Sequence, residues 1–149
     1  MENKFFNKSD QIAVIGVSQN PKKFGHQVYS FLKKNNYRVI PVNPKAALIL
    51  EDVCFNSIAS IPDTVEKAVL ITPKTETDGV LKELSVKGIK NIWVQQMSQT
   101  KESKALAESM GMNAVFNRCA LMYAEPVKGI HAFHKWLWKV FGLTKQPAS

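Results

Sequence analysis

The sequence predicts an α/β protein with a doubly wound, mainly parallel sheet of five to six strands, and two observations support that prediction. Short apolar runs rich in β-branched residues recur along the chain, which is typical of strands buried on both faces. Segments with apolar residues at helical spacing separate these runs, so that strand and helix alternate. Because parallel strands are joined by right-handed helical crossovers, the alternation predicts a Rossmann-like sheet.

The predicted elements follow one another from residue 11 to residue 119. QIAVIGVS, residues 11–18, is the first strand, and apolar residues at i, i+3 and i+4 predict a helix over 24–36. Pro41, inside the second strand, favours a sheet edge or a strand end. CFNSIASIP, within the less clear segment 44–66, predicts a short third strand and a helical turn. The other predicted strands are 38–43, 67–73, 91–96 and 113–119, and the other helices are 75–87 and 101–110.

A separate amphipathic helix is predicted near the C-terminal end, over about residues 126–141. Pro126 fits its first turn, and Trp136 and Trp138 lie outside its apolar stripe. These tryptophans have two interpretations: they pack on the preceding loop, or they form a surface for a homodimer or a partner protein. His131 and His134 have a spacing that suits a metal, but the sequence offers no third ligand, so no metal site is predicted.

Length and composition predict one domain, residues 1–149, with a core over about 9–120. No apolar run approaches the roughly 20 residues of a membrane span, so no membrane partner is expected. Cys54 and Cys119 lack disulfide or metal-site spacing, which predicts free thiols in the reducing cytoplasm. The formal net charge of +8 favours an anionic partner or simply aids solubility. The lysines form no block, which argues against nucleic acid.

The loops after the predicted strands carry the candidate site, because ligands of open parallel sheets bind beyond the carboxyl ends of the strands. Four lysines there predict an anion site, with ordinary solvated lysines as the alternative, and a helix N-terminus follows the first loop. The lysines are Lys22, Lys23, Lys45 and Lys74. The hydrogen-bonding side chains of these loops are Ser18, Asn20, Asn43, Thr72 and Gln95.

The loop after the second strand helps to decide which nucleotide the site would bind. An NAD site usually has a carboxylate there, whereas this chain has Asn43-Pro44-Lys45. A lysine attracts a phosphorylated ribose, such as the 2′-phosphate of NADP or the 3′-phosphate of coenzyme A (CoA). The first loop lacks the G-x-G-x-x-G pattern, which argues against NADP. In that loop Gly16 permits a tight turn, and Pro21 stiffens a cradle in which a lysine faces a pyrophosphate.

Four segments resemble, in this order, the stand-alone CoA-binding domain proteins, which are similar to the N-terminal CoA-binding domain of the succinyl-CoA ligase α subunit. The segments are AVIGVSQNPKKFG, YRVIPVNPK, IPDTVEKAVLITPK and IKNIWVQQ. The resemblance covers about residues 9–120 and implies CoA or an acyl-CoA as the ligand. Glu51-Asp52 stand near a place where the family commonly has a glycine, so the loop on the adenosine side is expected to differ.

The resemblance also assigns positions to parts of CoA. Residues 18–21 would lie against its ADP part and Lys45 beside its phosphates. Thr72 and Pro73 would flank the adenine, and Val94 and Gln95 would line the path of the pantetheine. The full predicted cofactor-binding set is Gly16, Val17, Ser18, Gln19, Asn20, Pro21, Lys22, Lys23, Asn43, Pro44, Lys45, Thr72, Pro73, Val94 and Gln95.

No catalytic constellation is predicted, since the chain shows no Ser-His-Asp order and no carboxylates paired for acid–base work. His26 is expected to be a surface residue, with assistance to phosphate binding as the alternative. Cys119 is expected to be a small buried residue, with a thiolate that forms a mixed disulfide with CoA as the alternative. Two functions stay open: a non-catalytic CoA-binding carrier or regulatory module, or an NADP-binding or CoA-dependent enzyme subunit that needs a second chain.

Overall fold

The structure is a computed structural model, and it describes residues 2–124. The elements in chain order are α1 (Glu2–Phe5), β1 (Gln11–Ile15), α2 (Phe24–Lys34), β2 (Arg38–Val42), β3 (Leu48–Ile49), β4 (Asp52–Val53), β5 (Lys67–Leu70), α3 (Lys74–Lys87), β6 (Asn91–Gln95), α4 (Ser103–Ser109), β7 (Asn113–Arg118) and a 3₁₀ turn (Ala120–Met122). Five strands form a parallel sheet in the order β2-β1-β5-β6-β7. The predicted α/β class with a mainly parallel sheet is confirmed.

Helices lie on both faces of this sheet, because alternate residues of each strand point to opposite sides. In β1, Ala13 and Ile15 belong to a core that includes buried residues of α3 and α4. Val14 belongs to a different core, which it shares with Val28 and Leu32 of α2. The sheet is therefore wound on both faces, as a Rossmann-like fold requires.

The predicted third strand is reduced to one residue beside β2. Phe55 forms a parallel bridge with Val42. Its N–H donates to Pro41 O at 3.0 Å, and its carbonyl accepts the Asn43 N–H at 2.9 Å. The sequence did not predict the antiparallel hairpin of β3 and β4 that precedes this bridge. Each hairpin strand has two residues, which is too short for a recognisable apolar alternation.

A polar network attaches the hairpin to α2. The Tyr29 hydroxyl donates to the Asp52 carboxylate, and Lys33 Nζ forms an ion pair with the same carboxylate at 2.9 Å. Partial burial would by itself raise the pKa of Asp52, but the hydrogen bonds from Tyr29 and Lys33 outweigh it and lower that pKa. Gln19 Nε2 donates to Leu48 O at 3.2 Å and connects the hairpin to the β1–α2 loop.

The turn of this hairpin is strained, because Leu50 and Glu51 have φ angles of +48° and +70°. A side chain in this left-handed region costs roughly 1–2 kcal/mol, whereas glycine adopts it freely. We expect Glu51→Gly to raise the free energy of unfolding by about 1 kcal/mol, measured by urea denaturation. Glu66→Gly, at an exposed site without positive φ, is the matched control and should not stabilise the fold. Equal effects of the two changes would contradict this account of the turn.

Several sequence predictions lie outside the described residues. These are the C-terminal helix over about 126–141, the proposed interface at Trp136 and Trp138, and the histidines His131 and His134. Within residues 2–124, no helix is long and apolar enough to cross a bilayer. In the same range, no three His, Cys, Asp or Glu side chains are grouped so that they could hold a metal ion.

Candidate functional site

A cleft with a volume of about 450 Å³ opens at the carboxyl ends of β1, β2 and β5. The strand order reverses between β1 and β5, and ligands of doubly wound sheets bind at this kind of switch point. Five residues of the predicted set line the cleft: Gly16, Asn43, Pro44, Lys45 and Thr72. The other lining residues are Ile15, Val42, Asn56, Ser57, Ile58, Glu76, Val80 and Glu83.

Two glycines allow the backbone segments beside the cleft to approach closely. Gly16 has a φ of +98°, and a Cβ placed there would lie 2.1 Å from Ile71 O. A Cβ on Gly25 would lie 2.4 Å from Gly16 O. Gly25 thus has the role of the last glycine in the G-x-G-x-x-G pattern, which allows the helix to pack closely on the strand. The predicted cofactor-binding set omitted Gly25, although its position nine residues after Gly16 in the sequence could have indicated this role.

The β1–α2 loop is held in shape by its own polar groups. Ser18 Oγ accepts the Asn20 N–H at 3.0 Å, and Asn20 Oδ1 accepts the Lys22 N–H at 3.0 Å. The Lys23 N–H donates to Asn20 O, also at 3.0 Å. Lys23 is the N-cap residue of α2, but its side chain forms no capping hydrogen bond. The first amides of a helix have no intrahelical partner, so this end of α2 suits an anion.

His26 is buried, and the expectation of a surface residue is wrong. It lies in the first turn of α2, is 8% exposed, and places Nδ1 2.7 Å from Ser18 O. Gly25 brings this turn so close to β1 that the imidazole reaches the preceding loop. A lone histidine in the sequence gave no indication of that packing.

Asn43 connects the loops that follow β1 and β2. Its Nδ2 donates to Val17 O at 2.6 Å, and its Oδ1 accepts the Lys45 N–H at 2.8 Å. Its carbonyl accepts the Ala46 N–H at 3.4 Å. The Asn43 side chain thus bonds within the protein through both Nδ2 and Oδ1, and these bonds set the backbone of the lysine loop.

All four predicted lysines are exposed at the carboxyl edge of the sheet, and Lys45 lines the cleft. The ion pairs found between residues 2 and 124 involve other lysines: Lys33, Lys67 and Lys87. No carboxylate of the described part of the chain is thus paired with Lys22, Lys23, Lys45 or Lys74. Their charge remains available to an anion.

One wall of the cleft is acidic, which the sequence analysis did not predict. Glu76, Val80 and Glu83 line the cleft from α3, at the spacing of one helical face. Both glutamates are exposed and form no ion pair with a residue between 2 and 124. The cleft therefore has a cationic side at Lys45 and an anionic side at α3.

Thr72 and Pro73 lie between β5 and α3, and of the two only Thr72 lines the cleft. Thr72 is buried, and its hydroxyl is 2.6 Å from the Thr77 hydroxyl. Thr77 Oγ1 donates to Ser98 O at 2.6 Å, so Thr72 supplies the proton of the bond between the two threonines. Thr72 can therefore accept, but not donate, a further hydrogen bond. Pro73 is exposed and is the N-cap residue of α3.

Val17, Val94 and Gln95 are buried and do not line the cleft. Val17 and Val94 have no exposed surface, so neither their side chains nor their backbone atoms are open to a ligand in this arrangement. Gln95 Oε1 accepts the Ala120 N–H at 2.9 Å, while its Nε2 has no hydrogen-bond partner among the described residues. Contact of these residues with pantetheine stays a prediction.

Cys119 is a buried thiol at 5% exposure, beside the end of β7. Burial raises its pKa, and the neighbouring polar groups of Gln95, Leu121 and Met122 only partly oppose that shift. The alternative of an activated thiolate is therefore not supported, since a raised pKa keeps the thiol protonated near neutral pH. Burial also raises the pKa of Cys54, the second buried cysteine.

Comparison with known proteins identifies the family to which this site belongs. A family model described as a CoA binding domain matches residues 10–125, which is most of the chain. The chain belongs to the CoA-binding domain family. The predicted resemblance is thereby confirmed, and the match spans both the cleft and the sheet that carries it.

In two relatives, the segment similar to this chain is part of a longer ligase chain. The ADP-forming acetate–CoA ligase II of Archaeoglobus fulgidus is 37% identical over 106 residues, which are 70% of this chain and 16% of the ligase. The α subunit of ADP-forming acetate–CoA ligase II of Pyrococcus furiosus is 30% identical over 126 residues, which are 77% of this chain and 27% of the subunit. The chain thus spans less than a third of either ligase chain.

Solved structures include one of similar extent. A conserved hypothetical protein from Pyrococcus furiosus superposes with a TM-score of 0.72 at 31% identity. The superposition covers 74% of this chain and 95% of that protein. The same fold therefore also occurs in a chain that has little beyond this domain.

Proposed function

We propose that this chain binds CoA or an acyl-CoA in the cleft at the carboxyl ends of β1, β2 and β5. In this proposal it is a binding, carrier or regulatory module that supplies no catalytic residue. Lys45 carries the proposal, because it lines the cleft at the end of β2, where an NAD site usually has a carboxylate. A lysine at this point favours a ribose that bears a phosphate.

The two charged sides of the cleft orient the ligand. Phosphate groups are repelled by Glu76 and Glu83 and attracted by Lys45, so they lie toward the β1–α2 loop and the start of α2. The uncharged adenine base and the free 2′-hydroxyl of its ribose then lie toward α3, where a carboxylate accepts hydrogen bonds from that hydroxyl or from the adenine amino group. Apolar surface for the adenine comes from Ile15, Val42, Ile58 and Val80.

A second candidate function is an enzyme subunit, NADP-binding or CoA-dependent, whose catalytic residues come from another chain. The ligase relatives favour its CoA-dependent form, since one of them is named as an α subunit. Native mass spectrometry of the purified protein distinguishes the candidates. Co-purified CoA without a second chain supports the module, whereas a co-purified partner chain or NADP supports the enzyme subunit. We place either form in the cytoplasm, on the basis of two free cysteines.

The proposed ligand predicts a ranking of thermal shifts. CoA is expected to raise the melting temperature more than NAD or NADP at equal concentration. A ligand that binds only the native state stabilises it by RT ln(1 + [L]/Kd), about 2.7 kcal/mol at a hundredfold excess over Kd. Differential scanning fluorimetry with the three ligands measures the ranking. Equal shifts with CoA and NAD would contradict the proposal.

A further inference from the structure

Two side chains bind consecutive carbonyl groups of the β1–α2 loop. Asn43 Nδ2 donates to Val17 O at 2.6 Å, and His26 Nδ1 lies 2.7 Å from Ser18 O. Because a carbonyl oxygen only accepts, His26 carries a proton on Nδ1 in this contact. Asn43 follows β2 and His26 lies in α2, so the loop is held by two separate elements.

These bonds fix the direction of the next two amides. A trans peptide unit is planar, and its N–H points away from its own C=O. With Val17 O and Ser18 O turned toward Asn43 and His26, the N–H groups of Ser18 and Gln19 point away from those two side chains. Neither N–H donates to any residue between 2 and 124, and Gln19 is exposed. Backbone N–H groups that are left without a partner in a loop at the end of a strand are available to bind an anion.

We propose that His26 and Asn43 are positioning residues that orient the Ser18 and Gln19 amides toward the diphosphate of the ligand. This inference rests on the proposed function, and it gives Asn43 a different role from the direct contact expected for it. Asn43 bonds Val17 O and the Lys45 N–H at once, so it holds the amide loop and the lysine loop in one arrangement. His26 reaches the ligand only through the peptide unit that it orients.

A pair of substitutions at His26 separates positioning from packing. Asn places Nδ2 where His has Nδ1, each bonded to Cγ, so His26→Asn keeps a donor for Ser18 O. His26→Leu has a similar shape and no donor. Dephospho-CoA is the probe, because it keeps the diphosphate but lacks the 3′-phosphate that Lys45 is proposed to bind. Isothermal titration should show affinity reduced about tenfold or more in His26→Leu and retained in His26→Asn.

Amide NMR supplies a readout that a merely structural role would not change. In the ¹⁵N-labelled wild-type chain, dephospho-CoA and inorganic pyrophosphate should each shift the Ser18 and Gln19 resonances. In folded His26→Leu these shifts should disappear, and Asn43→Leu should have the same effect. If His26→Leu does not fold, His26→Asn is the variant that tests the proposal. In His26→Asn the Ser18 and Gln19 resonances should still shift with both ligands.

The outcomes separate this inference from the proposed function. Dephospho-CoA that binds without shifting the two amides, or that binds His26→Leu as tightly as wild type, would overturn the positioning role and leave CoA binding intact. Shifts with pyrophosphate in the absence of any CoA binding would support the amide site and overturn the proposed function. Absence of these shifts with either ligand, together with no binding of CoA or dephospho-CoA by titration, would overturn both.

Discussion

Gly16→Ala is expected to lower the free energy of unfolding by about 2–5 kcal/mol, the sum of an overpacking cost and a left-handed backbone cost. A Cβ at this position would lie 2.1 Å from Ile71 O, a backbone atom that cannot turn away as a side chain can. The φ of +98° adds strain for any residue other than glycine. Urea denaturation measures the loss.

Gly79→Ala is the matched control for this substitution. Gly79 lies within α3, and a Cβ placed there meets nothing within 4 Å. Alanine in a helix interior is favoured over glycine by about 0.5–1 kcal/mol, so this change should stabilise the protein. If the two alanine variants had the same stability, the close approach of Gly16 to β5 would not exist in solution.

Lys45→Ala is expected to weaken CoA binding by about tenfold, and up to a hundredfold. A hydrogen bond to a charged group is worth about 1.5–3 kcal/mol, but Lys45 is exposed, so screening favours the lower figure. The loss should shrink as salt is added. Dephospho-CoA lacks the phosphate in question, so its affinity should change far less.

Titration of both ligands against wild type and Lys45→Ala completes a double-mutant cycle. Lys74→Ala is the matched control, because Lys74 is an exposed lysine at the same edge that does not line the cleft. Equal losses for CoA and dephospho-CoA in Lys45→Ala would show that Lys45 does not bind the 3′-phosphate. The residues after β2 would then give no reason to prefer CoA to NAD as the ligand.

The sheet could be predicted because its signal is local and repeated. Each of the five parallel strands contains a short apolar run with at least one β-branched residue, and apolar residues at helical spacing mark the crossover helices. The ends of the strands were predicted less well. The first strand was expected to reach residue 18 but ends at Ile15, because Gly16 turns the chain with a positive φ. Apolar Val17 continues the pattern after the strand has ended.

The loops of the site could be predicted because parallel strands bring their carboxyl ends to one edge. This rule placed Gly16, Lys45 and Thr72 around one cleft. It could not find His26 or the acidic wall of Glu76 and Glu83. The positions of those residues depend on how α2 and α3 are rotated as they pack against the sheet, which a single sequence does not specify. The hairpin attached by Asp52 was missed because its two-residue strands show no alternation, and its stabilising contacts are with a helix distant in sequence.

The most direct test of CoA binding at this cleft is amide mapping of the ¹⁵N-labelled chain during a titration with CoA. The resonances of Gly16, Lys45 and Thr72 should shift, because these residues line the cleft at the carboxyl ends of three strands. Gln11, Arg38 and Lys67 begin the same strands and should not shift, since they lie about 10–15 Å away along the strand axes. Shifts confined to these amino-end residues, or no shift at millimolar CoA, would contradict the proposed site.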